Sequence, residues 1–142
     1  MPSIRKQFST WMLTLAAVAL FAAPLSSQAL LTAHEESGFT EYTSYGELMT
    51  FLQDVQATSE DMLLSSFGKS MEGRVQPYAI FSRPLVTQPW EAMASGKPIV
   101  LIYANVHGGE KTLRESTLLL IRELATRGTE ANGFLEDLSL IH

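Results

Sequence analysis

The stretch KPIVLIYANVHGGE, residues 97–110, joins a continuously apolar, β-branched run to a glycine turn between a histidine and a glutamate. The run from Pro98 to Val106 does not alternate with polar residues, which is typical of a strand buried on both faces of a mostly parallel sheet. His107 and Glu110 follow at its carboxyl end, where functional groups gather in open α/β sheets. This stretch therefore predicts an α/β fold with a candidate site at the end of the strand.

A helix is predicted directly after this turn, from about Thr112 to Arg127. Thr112 and Glu115 have the spacing of a capping box, and a glycine at 128 suits the end of the helix. A strand, a tight turn and a helix in this order make half of a βαβ unit. The residues predicted to form the buried stripe are Leu113, Thr117, Leu120, Ile121 and Leu124.

Before the central strand, the pattern predicts a capped helix. Residues 30–43 are polar and are predicted to be irregular, and Ser44 with Glu47 then gives a second capping-box spacing. The apolar face of this helix is predicted to consist of Tyr45, Leu48, Phe51, Leu52 and Val55.

A β-hairpin is predicted after this helix. Two apolar segments, Met62–Gly68 and Val75–Phe81, flank a turn at residues 70–74 in which Gly73 is free to adopt positive φ. Pro77 lies inside the second segment and favours an edge position or a bulge. A short helix is predicted around Glu91–Ala94 in the connection that follows.

Composition excludes several classes of protein. The 142 residues contain no cysteine and carry a formal net charge of −5. Without cysteine, the chain has no disulfide framework, no thiolate metal site and no cysteine nucleophile. The acidic balance argues against binding of nucleic acid, which requires a face rich in Lys and Arg.

The amino-terminal segment predicts export. Arg5 and Lys6 precede the apolar stretch from Trp11 to Leu25, and small residues at Ser27 and Ala29 match a signal-peptidase site. The apolar core is shorter than the ~20 residues that a membrane span needs, although a membrane anchor or a buried helix is the alternative. Residues 1–29 are predicted to be a signal peptide, with a periplasmic or secreted product and no stable membrane anchor after cleavage.

Two interpretations exist for the carboxyl-terminal residues 138–142, which read LSLIH. They could open a buried strand. They also resemble the translation of a transposase mosaic-end adapter used in preparing sequencing libraries, which is the interpretation we favour. Processing and cloning scars are set aside before reasoning about a fold, and continuous genomic sequence through His142 would contradict this interpretation.

His107 and Glu110 are the residues that carry chemistry. Imidazole nitrogen and carboxylate oxygen both bind Zn²⁺, at ~2.0–2.2 Å. The two glycines between them, Gly108 and Gly109, allow unusual backbone angles near a metal. A bare His-x-x-Glu is a weak signal, because a turn histidine and a first-turn glutamate favoured by the helix dipole give the same pattern. The preceding strand and the following helix favour the metal site.

Three blocks in register resemble the M14 zinc carboxypeptidases. They are YTSYGEL at residues 42–48, FGKSMEGR at 67–74, and the stretch at 97–110. The resemblance covers roughly residues 39–137 and implies the amino-terminal part of an α/β/α fold with a mixed central sheet. Residues 30–137 are thus expected to be a truncated M14 catalytic domain.

The resemblance implies that His107 and Glu110 are the first two zinc ligands. It also implies that the third ligand, the groups that bind the substrate's carboxylate, and the glutamate that activates water lie farther along than this chain reaches. Gly109 stands where some members have a substrate-contacting arginine, and Leu113 stands where many bacterial members have glycine. These departures leave the subfamily and the substrate preference open.

The function expected from this resemblance is that of an exported zinc metallocarboxypeptidase acting on the carboxyl-terminal residue of peptides. The fragment itself is expected to be inactive, because catalytic zinc usually takes three protein ligands and a water. The alternatives are a deacylase of N-acyl amino acids of the succinylglutamate desuccinylase type, and a non-catalytic M14-like binding domain.

Other residues are weaker candidates. His34 is expected to be solvated, and His142 lies in the possible adapter tail. Arg74 is expected to anchor the turn through backbone carbonyls. Trp90 and Tyr103 are expected to be buried aromatics rather than pocket walls.

Overall fold

The structure, a computed structural model, describes residues 30–141, and these residues fold around a four-stranded mixed sheet. The predicted signal peptide, residues 1–29, and His142 lie outside the described residues. Along the chain the elements are α1 (Ala33–Glu36), α2 (Tyr45–Thr58), β1 (Met62–Lys69), β2 (Val75–Phe81), α3 (Pro89–Ala94), β3 (Ile99–Leu101), α4 (Lys111–Ala125), α5 (Glu130–Gly133), a 3-10 turn (Phe134–Glu136) and β4 (Ser139–Ile141).

The predicted hairpin is confirmed. Strands β1 and β2 pair in antiparallel fashion, and Gly73 has φ +79° in the turn between them. The register shifts between Ser66 and Gly68, and Pro77 pairs with Ser66 beside this bulge. Within β2, the residues that pair with β4 are the last two, Ile80 and Phe81. The nitrogen of Pro77, which cannot donate, is therefore outside the part of β2 that has neighbours on both sides.

The order of strands in the sheet is β1-β2-β4-β3. Strand β4 is antiparallel to β2 and parallel to β3, so the sheet is mixed, as predicted. Residues Ser139–Ile141 of the carboxyl-terminal pentapeptide form β4, and Leu140 is buried. The adapter interpretation of residues 138–142 stays a prediction, since it concerns the source of the DNA.

Helices α2 and α4 pack against each other, and α2 also packs on β1. Ser44 and Glu47 form the predicted capping box at the start of α2. Tyr45, predicted to lie on the apolar face, is instead exposed, and its hydroxyl donates to the carbonyl of Val75 over 3.0 Å.

No helix within residues 30–141 has the length and apolar character needed to cross a membrane. The core consists of Phe51, Leu52, Val55, Met62, Ala79, Phe81, Leu118, Ile121, Leu124, Ala125, Leu135 and Leu140.

The prediction that the central strand is buried on both faces is wrong for the described residues. Strand β3 is only three residues long, and Ile99, Val100 and Leu101 are 46%, 37% and 52% exposed. The reason is the position of β3 at the edge of the sheet, where β4 is its one partner strand within residues 30–141. The continuous apolar run indicates that these side chains favour burial. Their position at the edge of the sheet nevertheless leaves them partly exposed.

The predicted capping box of α4 is also wrong. The helix starts at Lys111, and its N-cap residue, Glu110, makes no side-chain capping bond. Glu115 is buried and is directed away from Thr112, toward the backbone amide and hydroxyl of Thr43. The buried stripe is rotated accordingly, so that Leu118 is buried and Leu113 is 53% exposed.

Residues 30–43 are not wholly irregular. Helix α1 begins with a capping box in which Thr32 and Glu35 satisfy each other's amides. Glu35 also forms an ion pair with Arg122 of α4, whose Nη1 lies 2.6 Å from Oε2. This pair fixes the amino-terminal segment against the carboxyl-terminal half of α4.

A second ion pair joins the end of β2 to the region before β1. Asp61 is 3% exposed and accepts hydrogen bonds from the Arg83 guanidinium and from the Asn132 side chain. The guanidinium of Arg83 holds the pKa of Asp61 below its usual range, although burial opposes this shift. In the same way, the hydrogen bond from Arg122 lowers the pKa of Glu35.

These two lowered pKa values predict a loss of stability in acid. A carboxyl whose pKa is lower in the folded state stabilises the fold above its unfolded pKa, and this stabilisation is lost as the pH falls through the folded pKa. We expect the free energy of unfolding to fall as the pH decreases below about 4.5, the ordinary value for Glu35. Urea denaturation between pH 7 and pH 2 measures this. The double variant Glu35→Gln/Asp61→Asn should show a flatter pH dependence, and an unchanged slope would contradict the assignment.

Candidate metal centre

The candidate site lies in the connection between β3 and α4. The ladder continues one residue past β3, since the amide of Ile102 donates to the carbonyl of Ile141 over 2.8 Å. The backbone then reverses at Asn105, which has φ +57°. Asparagine is one of the few residues other than glycine that adopts this left-handed conformation readily. The turn therefore brings the residues after 105 back toward the start of α4.

His107 and Glu110 face each other across this turn. Nδ1 of His107 lies 3.0 Å from Oε1 of Glu110, and the His107 amide donates to Oε2 over 3.3 Å. The Glu110 amide donates back to the carbonyl of His107 over 3.0 Å. The predicted convergence of the two side chains on one point is therefore present in the structure.

The pair is open to solvent. The side chain of His107 is 80% exposed and that of Glu110 is 40% exposed. A ligand can approach the two donor atoms directly, because the described part of the chain does not cover them. The contact between the two side chains is itself exposed to water, so it contributes little to the stability of the fold.

Gly108 and Gly109 separate the two side chains, and neither has a positive φ. A Cβ atom added to either glycine would have open space around it within residues 30–141. The left-handed residue of this turn is Asn105 instead. The described residues therefore do not require glycine at 108 and 109 on steric grounds.

The donor atoms of the pair fit two positions of a zinc ion. Two ligands at ~2.1 Å from a tetrahedral zinc lie roughly 3.4 Å apart, so the pair needs to open by only a few tenths of an ångström. A third donor is not supplied by the described chain, where no cluster of three His, Cys, Asp or Glu side chains could hold a metal. Residues 30–141 thus bring together two groups of the kinds that bind zinc, whereas catalytic zinc usually takes three protein ligands.

The weaker candidates do not join this site. His34 stacks on Tyr42 with a centroid distance of 5.4 Å, and its Nδ1 lies 2.6 Å from the Glu41 carbonyl oxygen, so its contacts are local. His142 lies outside the described residues. Trp90 and Tyr103 are 62% and 75% exposed, so the prediction that they are buried is wrong.

Arg74 makes contacts of a kind different from those predicted. Its guanidinium lies 3.1 Å from the carboxylate of Glu72 and 5.9 Å from the centre of the Tyr45 ring. The anchoring role of Arg74 is local, as expected, but it acts through side chains and not through backbone carbonyls. Both members of the Arg74–Glu72 pair are well exposed, so the pair contributes little stability.

A cleft lies beside the His107–Glu110 pair and does not include it. It has a volume of about 930 Å³ between α2, the β1–β2 hairpin and α4. Asn105 and Arg114 line this cleft, and Oδ1 of Asn105 is buried with no hydrogen-bond partner within residues 30–141. The sequence did not predict a role for Asn105 or Arg114, because nothing in the local pattern shows which way their side chains face.

Comparison with known proteins identifies the family. The model of the zinc carboxypeptidase family, Peptidase M14, matches residues 48–141. The chain belongs to the M14 zinc carboxypeptidase family. The matched range contains β3, the turn and α4, and therefore the complete His107–Glu110 pair. The predicted resemblance is thus confirmed.

Solved structures support the M14 fold. The crystal structure of carboxypeptidase A from Helicoverpa armigera matches with a TM-score of 0.61 and 22% sequence identity, over 98% of this chain. The chain spans about a third of that structure, since the match covers 31% of it. Among curated proteins, none matches this chain. The M14 chain therefore has an α/β fold with a mixed sheet that corresponds to part of a carboxypeptidase fold.

Proposed function

We propose that the protein is an exported zinc metallocarboxypeptidase that removes the carboxyl-terminal residue from peptides. The observation that carries this proposal is the His107–Glu110 pair, 3.0 Å apart at the end of β3 in a chain of the M14 family. Export is supported by the charged start and apolar core within residues 1–29.

In this proposal, Nδ1 of His107 and the carboxylate of Glu110 hold the zinc. Bound zinc polarises a carbonyl oxygen and lowers the pKa of a bound water. Glu110 accepts no proton in this scheme, because its carboxylate is committed to binding the metal. A carboxypeptidase site needs a third protein ligand and a separate general base besides this pair. Residues 30–141 are therefore proposed to bind zinc weakly and to be inactive by themselves.

An assay on two forms of the protein tests the proposal. The 142-residue chain and the longest reading frame at the same locus are purified, and zinc content is measured by mass spectrometry. We expect less than stoichiometric zinc and no activity in the 142-residue chain. We expect bound zinc and chelator-sensitive release of carboxyl-terminal amino acids from peptides in the longer product.

Three results would change or contradict the proposal. Hydrolysis of N-acyl amino acids without hydrolysis of peptides would favour the deacylase alternative. Stoichiometric zinc without hydrolysis of either substrate class would favour a binding domain. Tight stoichiometric zinc in the 142-residue chain would contradict the proposal that its own residues supply two ligands only.

A further inference from the structure

The buried carboxylate of Glu115 follows the His107–Glu110 pair on α4 and has no part in the proposed chemistry. Glu115 is 4% exposed and Thr43 is 1% exposed. The backbone amide of Thr43 donates to Oε1 of Glu115 over 3.0 Å, and the Thr43 hydroxyl donates to Oε2 over 2.6 Å. Nη2 of Arg114 also lies 3.1 Å from Oε1. Both oxygens of the carboxylate are therefore bound, across 72 residues of sequence between Thr43 and Glu115.

The start of α4 lacks the side-chain capping bonds that α1 and α2 have. Helices α1 and α2 begin with capping boxes, whereas the N-cap residue of α4, Glu110, makes no side-chain capping bond. The two residues before Glu110 are glycines with open space around them within the described chain. The bonds that Glu110 makes in the preceding turn all go to His107 and lie at the exposed surface, so they do not anchor Glu110 to the buried part of the fold.

Glu115 is well placed to fix Glu110 from the helix side. It lies five residues farther along α4, or about 7.5 Å along the helix axis. Thr43 adjoins Ser44, the N-cap residue of α2, so the contact joins the starts of two helices. A charge-assisted pair of hydrogen bonds in a buried place is strong and directional. The direction of the first turn of α4 therefore depends on Thr43 and Glu115.

We propose that Glu115 is a positioning residue, which sets the orientation of the zinc ligand Glu110 through its buried contact with Thr43. The inference rests on the proposed function only in naming zinc as the ligand of the pair. The contact acts on the backbone of α4, and Glu115 itself touches neither metal nor substrate.

Zinc titration of the unaltered 142-residue chain and four variants tests this role. One of the four, His107→Ala, checks the metal site itself. Thr43→Val removes the hydroxyl that bonds Oε2 while keeping the shape of the side chain, and Thr43→Ser restores a hydroxyl. Glu35→Gln is the matched control, because Glu35 also forms a largely buried ion pair with α4, at Arg122 in its carboxyl-terminal half. Zinc affinity is followed by NMR at the imidazole of His107, and hydrogen exchange is measured at the amides of Glu110 and Leu113.

The expected results separate positioning from stability. Thr43→Val should raise the zinc dissociation constant about 10-fold, as is usual when outer groups that orient a ligand are removed. It should also speed hydrogen exchange at the amides of Glu110 and Leu113. Thr43→Ser should restore both the zinc dissociation constant and the rates of hydrogen exchange. Glu35→Gln should lower the melting temperature without changing either measurement.

Three outcomes would overturn the inference. Unchanged zinc affinity and exchange in Thr43→Val would show that the contact is only structural. An equal effect of Glu35→Gln would show that any loss of stability weakens the site. If the unaltered chain binds zinc and His107→Ala does not weaken that binding, the proposed metal pair fails. In that case hydrogen exchange at the Glu110 amide decides whether Thr43 orders the turn. Unchanged hydrogen exchange at this amide in Thr43→Val would overturn the ordering role of Thr43 too.

Discussion

Replacing Glu110 by alanine should abolish zinc binding at the His107–Glu110 pair, and His107→Ala should do the same. Each change removes one of the only two donor atoms that meet at this site in the described residues. We expect the dissociation constant to rise by at least about 100-fold, since even changes in the outer groups of metal sites cost 10–100-fold. Under the proposed function, the peptidase activity of the protein translated from the complete reading frame should fall together with zinc content.

The stability of the fold should change little in the same variants. Glu110 makes no side-chain capping bond, and its pair with His107 is exposed to solvent. Glu72→Ala is the matched control, because Glu72 is also an exposed acid with a basic neighbour in a turn. This control should keep both its zinc and its stability. Loss of activity with full zinc occupancy in Glu110→Ala would contradict the role of Glu110 as a ligand.

Replacing Asp61 by alanine should destabilise the fold by about 3 kcal/mol, the lower end of what removing one partner of a buried ion pair costs. The change leaves the guanidinium of Arg83 without the carboxylate that binds two of its nitrogens. It also removes an acceptor from the buried side chain of Asn132. Urea denaturation at pH 7 measures the loss.

The neighbouring acid provides the control for this prediction. Glu60 lies next to Asp61 in sequence and pairs with Arg127 over 3.0 Å, but both side chains of that pair are largely exposed. Glu60→Ala should therefore change the free energy of unfolding by less than about 1 kcal/mol. Equal effects of the two substitutions would show that burial of the Asp61–Arg83 pair adds no stability.

Much of the fold could be predicted from patterns that are local in sequence. The capping box of Ser44 and Glu47, the hairpin with its turn at Gly73, and the bulge near Pro77 are all present in the structure. Such features depend on residues three to six positions apart, whose relative geometry follows once a helix or a turn forms. The pair formed by His107 and Glu110 belongs to the same class.

Other features depend on distant partners, and the local patterns were misleading there. Glu115 has the spacing of a capping residue for Thr112, yet it bonds Thr43 instead, because the buried amide and hydroxyl of Thr43 compete for the same carboxylate. The apolar run at Ile99–Leu101 predicts a buried strand, yet the sheet places this strand at its edge.

The sequence by itself predicted the family, the α/β class and the approach of His107 to Glu110, because these are encoded within short stretches around residues 44, 70 and 107. Only the tertiary structure decided the partners of the buried acidic side chains. The contacts of Glu115 with Thr43 and of Asp61 with Arg83 join residues far apart in the chain. The physical reason is that a buried charge must find partners wherever the packing brings them, and spacing along one helix or strand does not specify those partners.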